Sequence, residues 1–226
     1  MQLQVGPVRI CNLIEGVNMS ELGTRWLDII QFENTQFRGR IHSDKLPVQR
    51  TPSSVGVITC MDPRVNLAAI GIPCFTETGE NGSSVRVMRT IGAMAEPRSL
   101  IIGIFLAGIR ELAIVMHTDC GCCLAFSKID LIVSNLQNNL ASAQLREFKN
   151  TIGEPFRENL RVWLKAFEDP RVAVRQEIAA IRLYPFVPKQ LIIHGLLYEL
   201  ASGNIEVVVN GYDEQKASPS TGASQG

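Results

Sequence analysis

The stretch ELAIVMHTDCG, from Glu111 to Gly121, begins with a short apolar run and ends in polar and sulfur-bearing side chains. Its first part, Glu111–His117, is mostly aliphatic and does not alternate cleanly, which is typical of a strand buried on both faces of a parallel sheet. Ser54–Cys60 and Gln190–His194 have the same character, whereas Ser84–Arg89 alternates and is expected nearer an edge. These four segments predict a mostly parallel sheet.

The segments between the strands predict helices that cover this sheet. An apolar run from Glu96 to Ile109 has Pro97 near its start and Gly108 near its end, as expected for the helix of a right-handed βαβ crossover. Leu124–Phe148 has helical periodicity. Both segments are therefore predicted to lie against the sheet.

Two further signals complete the predicted topology. Asp169 and Pro170 supply an N-cap and a first-turn proline for a helix that runs to about Leu183. Gly203-Asn204 predicts a hairpin-like turn into Ile205–Val209, an antiparallel edge strand.

The fold class that follows is α/β, a single domain with a mostly parallel β-sheet flanked by helices, an antiparallel edge strand and an N-terminal helical arm. Residues 1–50 are predicted to form the arm and residues 51–212 the α/β domain, which carries the candidate site described below. Residues 213–226 are small and polar, and we expect them to be disordered.

The composition excludes several classes of partner. The chain has 226 residues, and its 22 basic residues balance 22 acidic ones, so the formal net charge is zero. A surface for nucleic acid or an anionic membrane needs a basic excess or a clustered basic face, and the sequence has neither. The longest apolar run, Leu100–Ile109, is shorter than the roughly 20 residues of a membrane span. We therefore expect no polyanionic substrate, no nucleic acid and no membrane partner.

The cysteine content indicates a reducing compartment. The N-terminal residues show no basic region followed by an apolar core, so no secretory signal is expected. In a chain of this length without such a signal, cysteines more often serve metal binding or catalysis than disulfides. We expect a cytoplasmic protein with six thiols, at Cys11, Cys60, Cys74, Cys120, Cys122 and Cys123.

Two groups of reactive side chains follow predicted strands, CMDPR at residues 60–64 and HTDCG at residues 117–121. In open parallel sheets ligands bind outside the carboxyl ends of the strands, and neighbouring strands are about 4.8 Å apart. Two strand ends can therefore bring Cys60, His117 and Cys120 together. Two thiolates and one imidazole favour a divalent metal, zinc above the others.

The fourth position at the metal distinguishes a catalytic from a structural site. Structural zinc sites have four protein ligands, whereas catalytic sites commonly have three and a water molecule. Cys122 and Cys123 lie beyond Gly121, where we expect a helix to start. Asp62 is the remaining candidate, and Arg64 can pair with the same carboxylate. The Asp62 carboxylate can thus bind either the metal or Arg64. We therefore predict that this pair acts as a gate, which closes the metal site when Asp62 binds the metal and opens it when Asp62 binds Arg64.

Simpler interpretations stay open for these residues. A cysteine at the end of an apolar strand is usually a core residue, and a surface Asp–Arg pair is usually a solvated ion pair. Cys122 and Cys123 are interpreted as a buried pair at a helix start, with redox sensing as the alternative. We expect His42 to be solvated and His194 to pack near the sheet rather than bind metal.

At these motifs the sequence resembles the β-class carbonic anhydrases, whose zinc ligands come from Cys-x-Asp-x-Arg and His-x-x-Cys-Gly. The resemblance runs from about Phe32 to Val209, and the segment from His194 to Tyr198 looks like the family's closing strand. CMDPR and HTDCG are most similar to a smaller microbial and fungal subgroup, which also includes carbonyl sulfide and carbon disulfide hydrolases. The resemblance implies Zn2+ as the cofactor, with Cys60, His117 and Cys120 as its ligands and Asp62 and Arg64 as catalytic residues.

The chain departs from the family's usual Arg-Asn-Ala-Gly-Gly segment, where it has Arg89-Thr90-Ile91-Gly92-Ala93. Thr90 and Ile91 are expected to change the polarity and width of a wall near the metal, which bears on the substrate. The family's protomers dimerise or assemble further. The resemblance thus implies a homodimer, a tetramer or another homo-oligomer, in which the N-terminal arm wraps the partner subunit.

Three functions remain open from the sequence. The first is a zinc-dependent lyase, a carbonic anhydrase that hydrates CO2 to bicarbonate through a zinc-bound hydroxide. By resemblance, Asp62 orients that hydroxide, and Arg64 holds Asp62 away from the metal. The second is hydrolysis of carbonyl sulfide or carbon disulfide by the same mechanism, with release of hydrogen sulfide. The third is a zinc-stabilised scaffold whose site is closed by a fourth protein ligand.

Overall fold

The computed structural model describes residues 26–40, 54–71 and 85–213 of the chain. Within them, five strands form one sheet: β1 (Val55–Cys60), β2 (Arg86–Thr90), β3 (Glu111–His117), β4 (Ile192–Tyr198) and β5 (Ile205–Val209). Their order across the sheet is β2-β1-β3-β4-β5. The first four strands are parallel, and β5 pairs antiparallel with β4. The predicted α/β fold class, with an antiparallel edge strand, is confirmed.

Seven α-helices lie in the described residues: α1 (Trp26–Arg40), α2 (Pro97–Ile101), α3 (Gly121–Ser127), α4 (Ile129–Asn139), α5 (Ser142–Ile152), α6 (Phe156–Trp163) and α7 (Pro170–Arg182). Helix α2 continues as a π-helical turn over Ile102–Leu106, and short 3-10 turns form at Ala68–Ile70 and Ile91–Ala93. None of the described helices combines the length and apolar character needed to span a bilayer.

The strands form largely where the apolar pattern predicts them. Strand β3 has the predicted bounds, and β2 lies at an edge of the sheet, as the alternation in its sequence indicated. The predicted end of β4 at His194 is wrong, because the strand continues to Tyr198. Gly195 follows His194, and a glycine often marks the end of a strand. Here it makes room for a neighbouring helix, because a Cβ at this position would lie only 2.9 Å from Ile178. The glycine therefore allows α7 to pack closely on an unbroken strand.

The predicted start signals of two helices are present as capping interactions. The Glu96 carboxylate accepts a hydrogen bond from the Ser99 amide at 2.8 Å, directly before α2. The Asp169 carboxylate accepts one from the Arg171 amide at 2.8 Å, at the start of α7. Both caps satisfy backbone donors that the first turn of a helix leaves unpaired. Gly108 follows the π-helical turn with φ of 86°, a left-handed conformation that suits glycine.

The long helical segment predicted over Leu124–Phe148 is divided into α3, α4 and most of α5. Lys128 and Leu140 separate these helices with non-helical backbone angles, ψ of 34° and 141°. Helix α6 is absent from the prediction, although its apolar residues Phe156, Leu160 and Trp163 recur at helical spacing. Its Phe156 and Leu160 pack with Ile129 of α4 in a small second core.

The main core lies along the sheet and reaches its carboxyl edge. Ile58, Ile114 and Ile193 occupy the three central strands β1, β3 and β4, and each is fully buried. Cys60 and Cys120 belong to the same buried cluster. The carboxyl ends of β1 and β3 are therefore held by close packing, which favours fixed side-chain positions there.

Helix α1 falls in a different compact unit from the strands of the sheet. It lies inside the predicted arm of residues 1–50, and the remainder of that arm is outside the described residues. Cys11, His42, Cys74 and residues 214–226 of the predicted tail are also outside them. The division into arm, α/β domain and tail stays a prediction.

Candidate metal centre

The two predicted motifs meet at one point on the carboxyl edge of the sheet. Strand β1 ends at Cys60 and its neighbour β3 ends at His117, with Thr59 paired to Val115 in the parallel register. Cys120 follows after a turn, at the N-cap position of α3. The Thr118 amide donates to the Tyr198 carbonyl of β4 at 3.0 Å, which fixes the start of this turn. Adjacent strand ends and one short turn thus bring the three side chains together.

Cys60, His117 and Cys120 form a compact group of potential metal ligands. All three residues are buried, and their ligand atoms lie within 4.8 Å of one another. The two sulfur atoms are 3.9 Å apart. Tetrahedral zinc with bonds of about 2.3 Å to sulfur separates two thiolates by about 3.8 Å. The spacing of the sulfurs therefore fits a tetrahedral metal ion.

His117 presents one ring nitrogen to this group. Its Nδ1 lies 2.8 Å from the Thr118 carbonyl oxygen, which can only accept, so in the neutral ring the proton is on Nδ1. Its Nε2 is buried and has no hydrogen-bond partner among the described residues. A buried nitrogen with a free lone pair is costly unless something binds it. Metal-ligating histidines commonly show this arrangement, with the second nitrogen donating to a carbonyl.

The protein environment keeps the two sulfurs protonated when no cation is bound. Burial raises the pKa of Cys60, although the Asp62 and Gly92 amides donate to its sulfur and oppose this effect. A hydrogen bond with Cys122, together with burial, raises the pKa of Cys120 to about 12. A metal must displace these protons to bind thiolates, so uptake of a metal here releases protons.

Asp62 is paired with Arg64 and lies outside the three-ligand group. The guanidinium donates from Nε to Oδ1 at 3.0 Å and from Nη2 to Oδ2 at 2.7 Å, and the Arg64 amide donates to Oδ1 at 2.9 Å. These hydrogen bonds hold the pKa of Asp62 at about 2. Of the two partners predicted for Asp62, the structure shows the arginine.

Arg64 has a second carboxylate partner that the sequence analysis did not assign. Its Nη1 donates to Asp119 Oδ2 at 2.7 Å, and its Nη2 donates to the Asp119 carbonyl at 2.9 Å. Asp119 has φ of 53°, a left-handed conformation that aspartate tolerates better than most residues. The guanidinium is thus fixed between Asp62 on one side and Asp119 on the other. The only sequence signal for this role is the position of Asp119 inside HTDCG.

The segment from Thr90 to Ala95 forms a wall beside Cys60. Gly92 and the non-glycine Ala93 both have left-handed φ values, 57° and 59°. The Thr90 hydroxyl donates to the Met94 carbonyl at 2.6 Å, so its polar group is used inside the segment. Ile91 is 49% exposed. The exposed apolar side chain of this segment is therefore Ile91, one of the residues at which the chain departs from the family pattern.

The remaining predicted residues are not members of the three-ligand group, although the Cys122 thiol interacts with Cys120. Cys122 is buried at the start of α3 and Cys123 is partly buried, both as free thiols. His194 packs on the sheet, where Nε2 contacts Glu111 at 3.1 Å and Nδ1 accepts from the Gly211 amide at 3.1 Å. The expectation that His194 packs near the sheet agrees with these contacts.

Comparison with known proteins identifies homologues of two kinds, some named carbonic anhydrase and others named carbon disulfide hydrolase. The chain is 26% identical over 168 residues to β-carbonic anhydrase 1 of Mycobacterium tuberculosis, covering 73% of this chain and 88% of that one. It is 26% identical over 163 residues to a carbon disulfide hydrolase of Acidithiobacillus thiooxidans, covering 66% and 74%. No protein-family model matches the chain.

Comparison with solved structures also identifies a β-carbonic anhydrase, in this case by similarity of the fold. The β-carbonic anhydrase isoform I of Trichomonas vaginalis superposes with a TM-score of 0.64 at 24% identity, over 83% of this chain and all of that one. The chain is therefore a homologue of β-carbonic anhydrases and carbon disulfide hydrolases, and it has the β-carbonic anhydrase fold. The resemblance inferred from the two motifs is confirmed, and the homologues support an enzyme.

Proposed function

We propose that the protein is a zinc-dependent enzyme that hydrates carbon dioxide to bicarbonate. The observation that carries this proposal is the buried Cys60–His117–Cys120 group, with the unpartnered Nε2 of His117, beside the Asp62–Arg64 pair. Three soft ligands match the donor set of a catalytic zinc site. The homologues named carbonic anhydrase support the same reaction. Since the thiols must stay reduced to bind metal, we also propose a cytoplasmic location.

The reaction joins water to CO2 and gives bicarbonate and a proton. Bound zinc would supply a Lewis acid that lets a water molecule ionise near neutral pH. Asp62 is ionised, since its pKa is held at about 2, and it would accept a hydrogen bond from the reacting water. That bond would aim a lone pair of the water at the carbon atom.

Arg64 would act through Asp62 rather than on the substrate. Its guanidinium occupies both carboxylate oxygens of Asp62 and is itself fixed by Asp119. A carboxylate held in this way is kept from becoming a fourth ligand. Arg64 would therefore leave one position of a bound zinc ion free for the reacting water.

The test is stopped-flow CO2 hydration by the zinc-loaded protein at pH about 8.5, where an ionised water would be plentiful. We expect rapid hydration that the Cys60→Ser variant lacks. Hydration at the rate of the buffer alone, with one zinc ion bound per chain, would contradict the proposal.

Hydrolysis of carbonyl sulfide or carbon disulfide is the second candidate. It is favoured by the homologues named carbon disulfide hydrolase and by the exposed Ile91, which follows the residue paired with Cys60 in the sheet. Water would add to the same electrophilic carbon, and hydrogen sulfide would leave. Release of hydrogen sulfide from either compound, in a protein that leaves CO2 unhydrated, would favour this candidate over the first.

A zinc-stabilised scaffold requires four protein ligands. Among the described residues the candidate group contains three, and Asp62 is bound to Arg64 instead. This arrangement favours an enzyme over a closed structural site.

We further propose that the protein forms a homodimer or a larger homo-oligomer. Four large apolar side chains are exposed on α2 and its π-helical extension, at Ile101, Ile102, Phe105 and Leu106. A cluster of this kind is typical of a protein interface. Sedimentation equilibrium should give at least twice the chain mass of 24.9 kDa. A monomer at micromolar concentration would contradict this proposal.

A further inference from the structure

Glu177 is a charged side chain in the buried core. It is 6% exposed, and it lies on the face of α7 that also carries Val174, Ile178 and Ile181. Burying a carboxylate is unfavourable unless hydrogen bonds or an opposite charge compensate for the lost water. The groups that compensate this buried carboxylate therefore show what Glu177 holds in place.

The partners of Glu177 come from two other parts of the fold. Oε1 accepts a buried hydrogen bond from the Ala95 amide at 2.7 Å. Oε2 lies 3.4 Å from the ammonium group of Lys165, whose side chain is half exposed. The shorter and fully buried bond is the one to Ala95, so the carboxylate chiefly anchors the backbone at that residue.

Ala95 ends the wall segment that starts at Thr90. Within this segment Gly92 and Ala93 have left-handed backbone conformations, and Ala93 is a fully buried non-glycine residue. Such a conformation is unfavourable for alanine and persists only where its surroundings impose it. The Thr90–Met94 hydrogen bond ties the segment internally, and Glu177 holds it from α7.

The wall segment, Thr90 to Ala95, contacts the candidate metal centre. Its first residue, Thr90, is paired with Cys60 in the parallel register, and the Thr90 carbonyl accepts from the Met61 amide at 2.8 Å. The Gly92 amide faces the Cys60 sulfur and acts to lower the pKa of that thiol. A Cβ at Gly92 would lie 2.7 Å from the Cys122 sulfur, so the segment is packed tightly against the start of α3. A shift of Ala95 would therefore be transmitted to the amide that faces Cys60. Hydrogen-bond donors to a metal-bound thiolate change the electron density on its sulfur, and thereby the affinity and the spectrum of the bound metal.

We propose that Glu177 is a positioning residue for the metal centre, which it serves by holding Ala95 and thereby the contact of Gly92 with Cys60. This inference rests on the proposed metal-binding function. It assigns to Glu177 no contact with the metal or the substrate. Its effect should appear in the metal's spectrum and affinity, which a general loss of stability would leave unchanged in the folded protein.

The test compares Glu177→Ala with Glu177→Gln in the cobalt-substituted and zinc-loaded full chain. We expect Glu177→Ala to shift the thiolate-to-cobalt charge-transfer band and to weaken zinc binding by about 10- to 100-fold in chelator competition. Glu177→Gln retains an oxygen that can accept from Ala95, so its band should match the native one. Glu206→Ala, at an exposed glutamate paired with Arg171, is the matched control and should change neither quantity.

Two results would overturn the inference. One is an unchanged band and zinc affinity in folded Glu177→Ala. The other is an equal loss in Glu177→Gln, since that variant keeps the acceptor. If Glu177→Ala does not fold, Glu177→Met, which fills a similar volume but has no oxygen to accept from the Ala95 amide, takes its place and should shift the band in the same direction. An unshifted band in folded Glu177→Met would then overturn the inference.

Failure of the metal-binding proposal looks different from failure of this one. If the native chain gives no charge-transfer band with cobalt, the metal centre itself is disproved, and the role of Glu177 with it. If the native band is present and the Glu177→Ala band coincides with it, the metal centre stands and only the positioning role is lost.

Discussion

The Cys60→Ser variant should hydrate CO2 at least about 1,000-fold more slowly than the native protein, because a water molecule without the ion is hardly ionised near neutral pH. Serine cannot replace the thiolate, since a hydroxyl is a poor ligand for zinc and stays protonated. The two sulfurs, 3.9 Å apart and buried, would be reduced to one. Zinc content measured on the purified variant should fall well below one ion per chain.

A matched cysteine replacement separates this effect from general damage. Cys123→Ser changes a partly buried thiol three residues from Cys120, outside the three-ligand group. It should keep native zinc content and a hydration rate within about threefold of native, as expected for a residue that does not touch the ion. Native zinc content in Cys60→Ser, or loss of zinc in Cys123→Ser, would contradict the assignment of ligands.

The second large effect is expected at Arg64. Arg64→Ala should lower the hydration rate by about 100-fold while zinc stays bound, because the freed Asp62 can occupy the fourth position. Protonation does not explain such a loss. Removing the arginine raises the pKa of Asp62 from about 2 toward its ordinary value, and the carboxyl remains ionised at neutral pH. X-ray absorption at the zinc edge should then show a carboxylate oxygen that the native protein lacks.

Two further variants sharpen the prediction for Arg64. Arg98→Ala removes an exposed arginine that pairs with Glu96, and its hydration rate should be native. Asp119→Asn keeps a residue that tolerates left-handed backbone but weakens the second hold on Arg64, so we expect a smaller loss than in Arg64→Ala. Full activity of Arg64→Ala would show that the pair with Asp62 does not control the site.

Much of the fold could be predicted because its strands are short apolar runs with local boundaries. Glu111–His117 needs no distant information to be recognised as a buried strand, and Asp169-Pro170 marks the start of α7 by itself. The breaks at Lys128 and Leu140 depend on single backbone conformations. Helix α6 has a clear apolar period but spans only eight residues, about two turns, which is short for a prediction from pattern alone; its packing against α4 establishes it.

The candidate site divides in the same way. Cys60, His117 and Cys120 could be placed together because the carboxyl ends of neighbouring parallel strands meet at one edge. The contacts of Asp119 with Arg64 and of Glu177 with Ala95 join positions 55 and 82 residues apart in the chain. Spacing carries no information about such pairs. A glutamate on the apolar face of α7 was the one sign that something unusual is buried there.

The three candidate ligands are presented by two packed strands and the residue before a helix, all inside the main core. Packing of the strands would therefore hold the ligand set together without help from the proposed ion, in contrast to small zinc domains that fold only with their metal. Little chain entropy would remain to be lost on binding, so the protein would stay folded after losing a bound ion. Such a molecule could take up another ion when the metal is supplied again, without being synthesised anew.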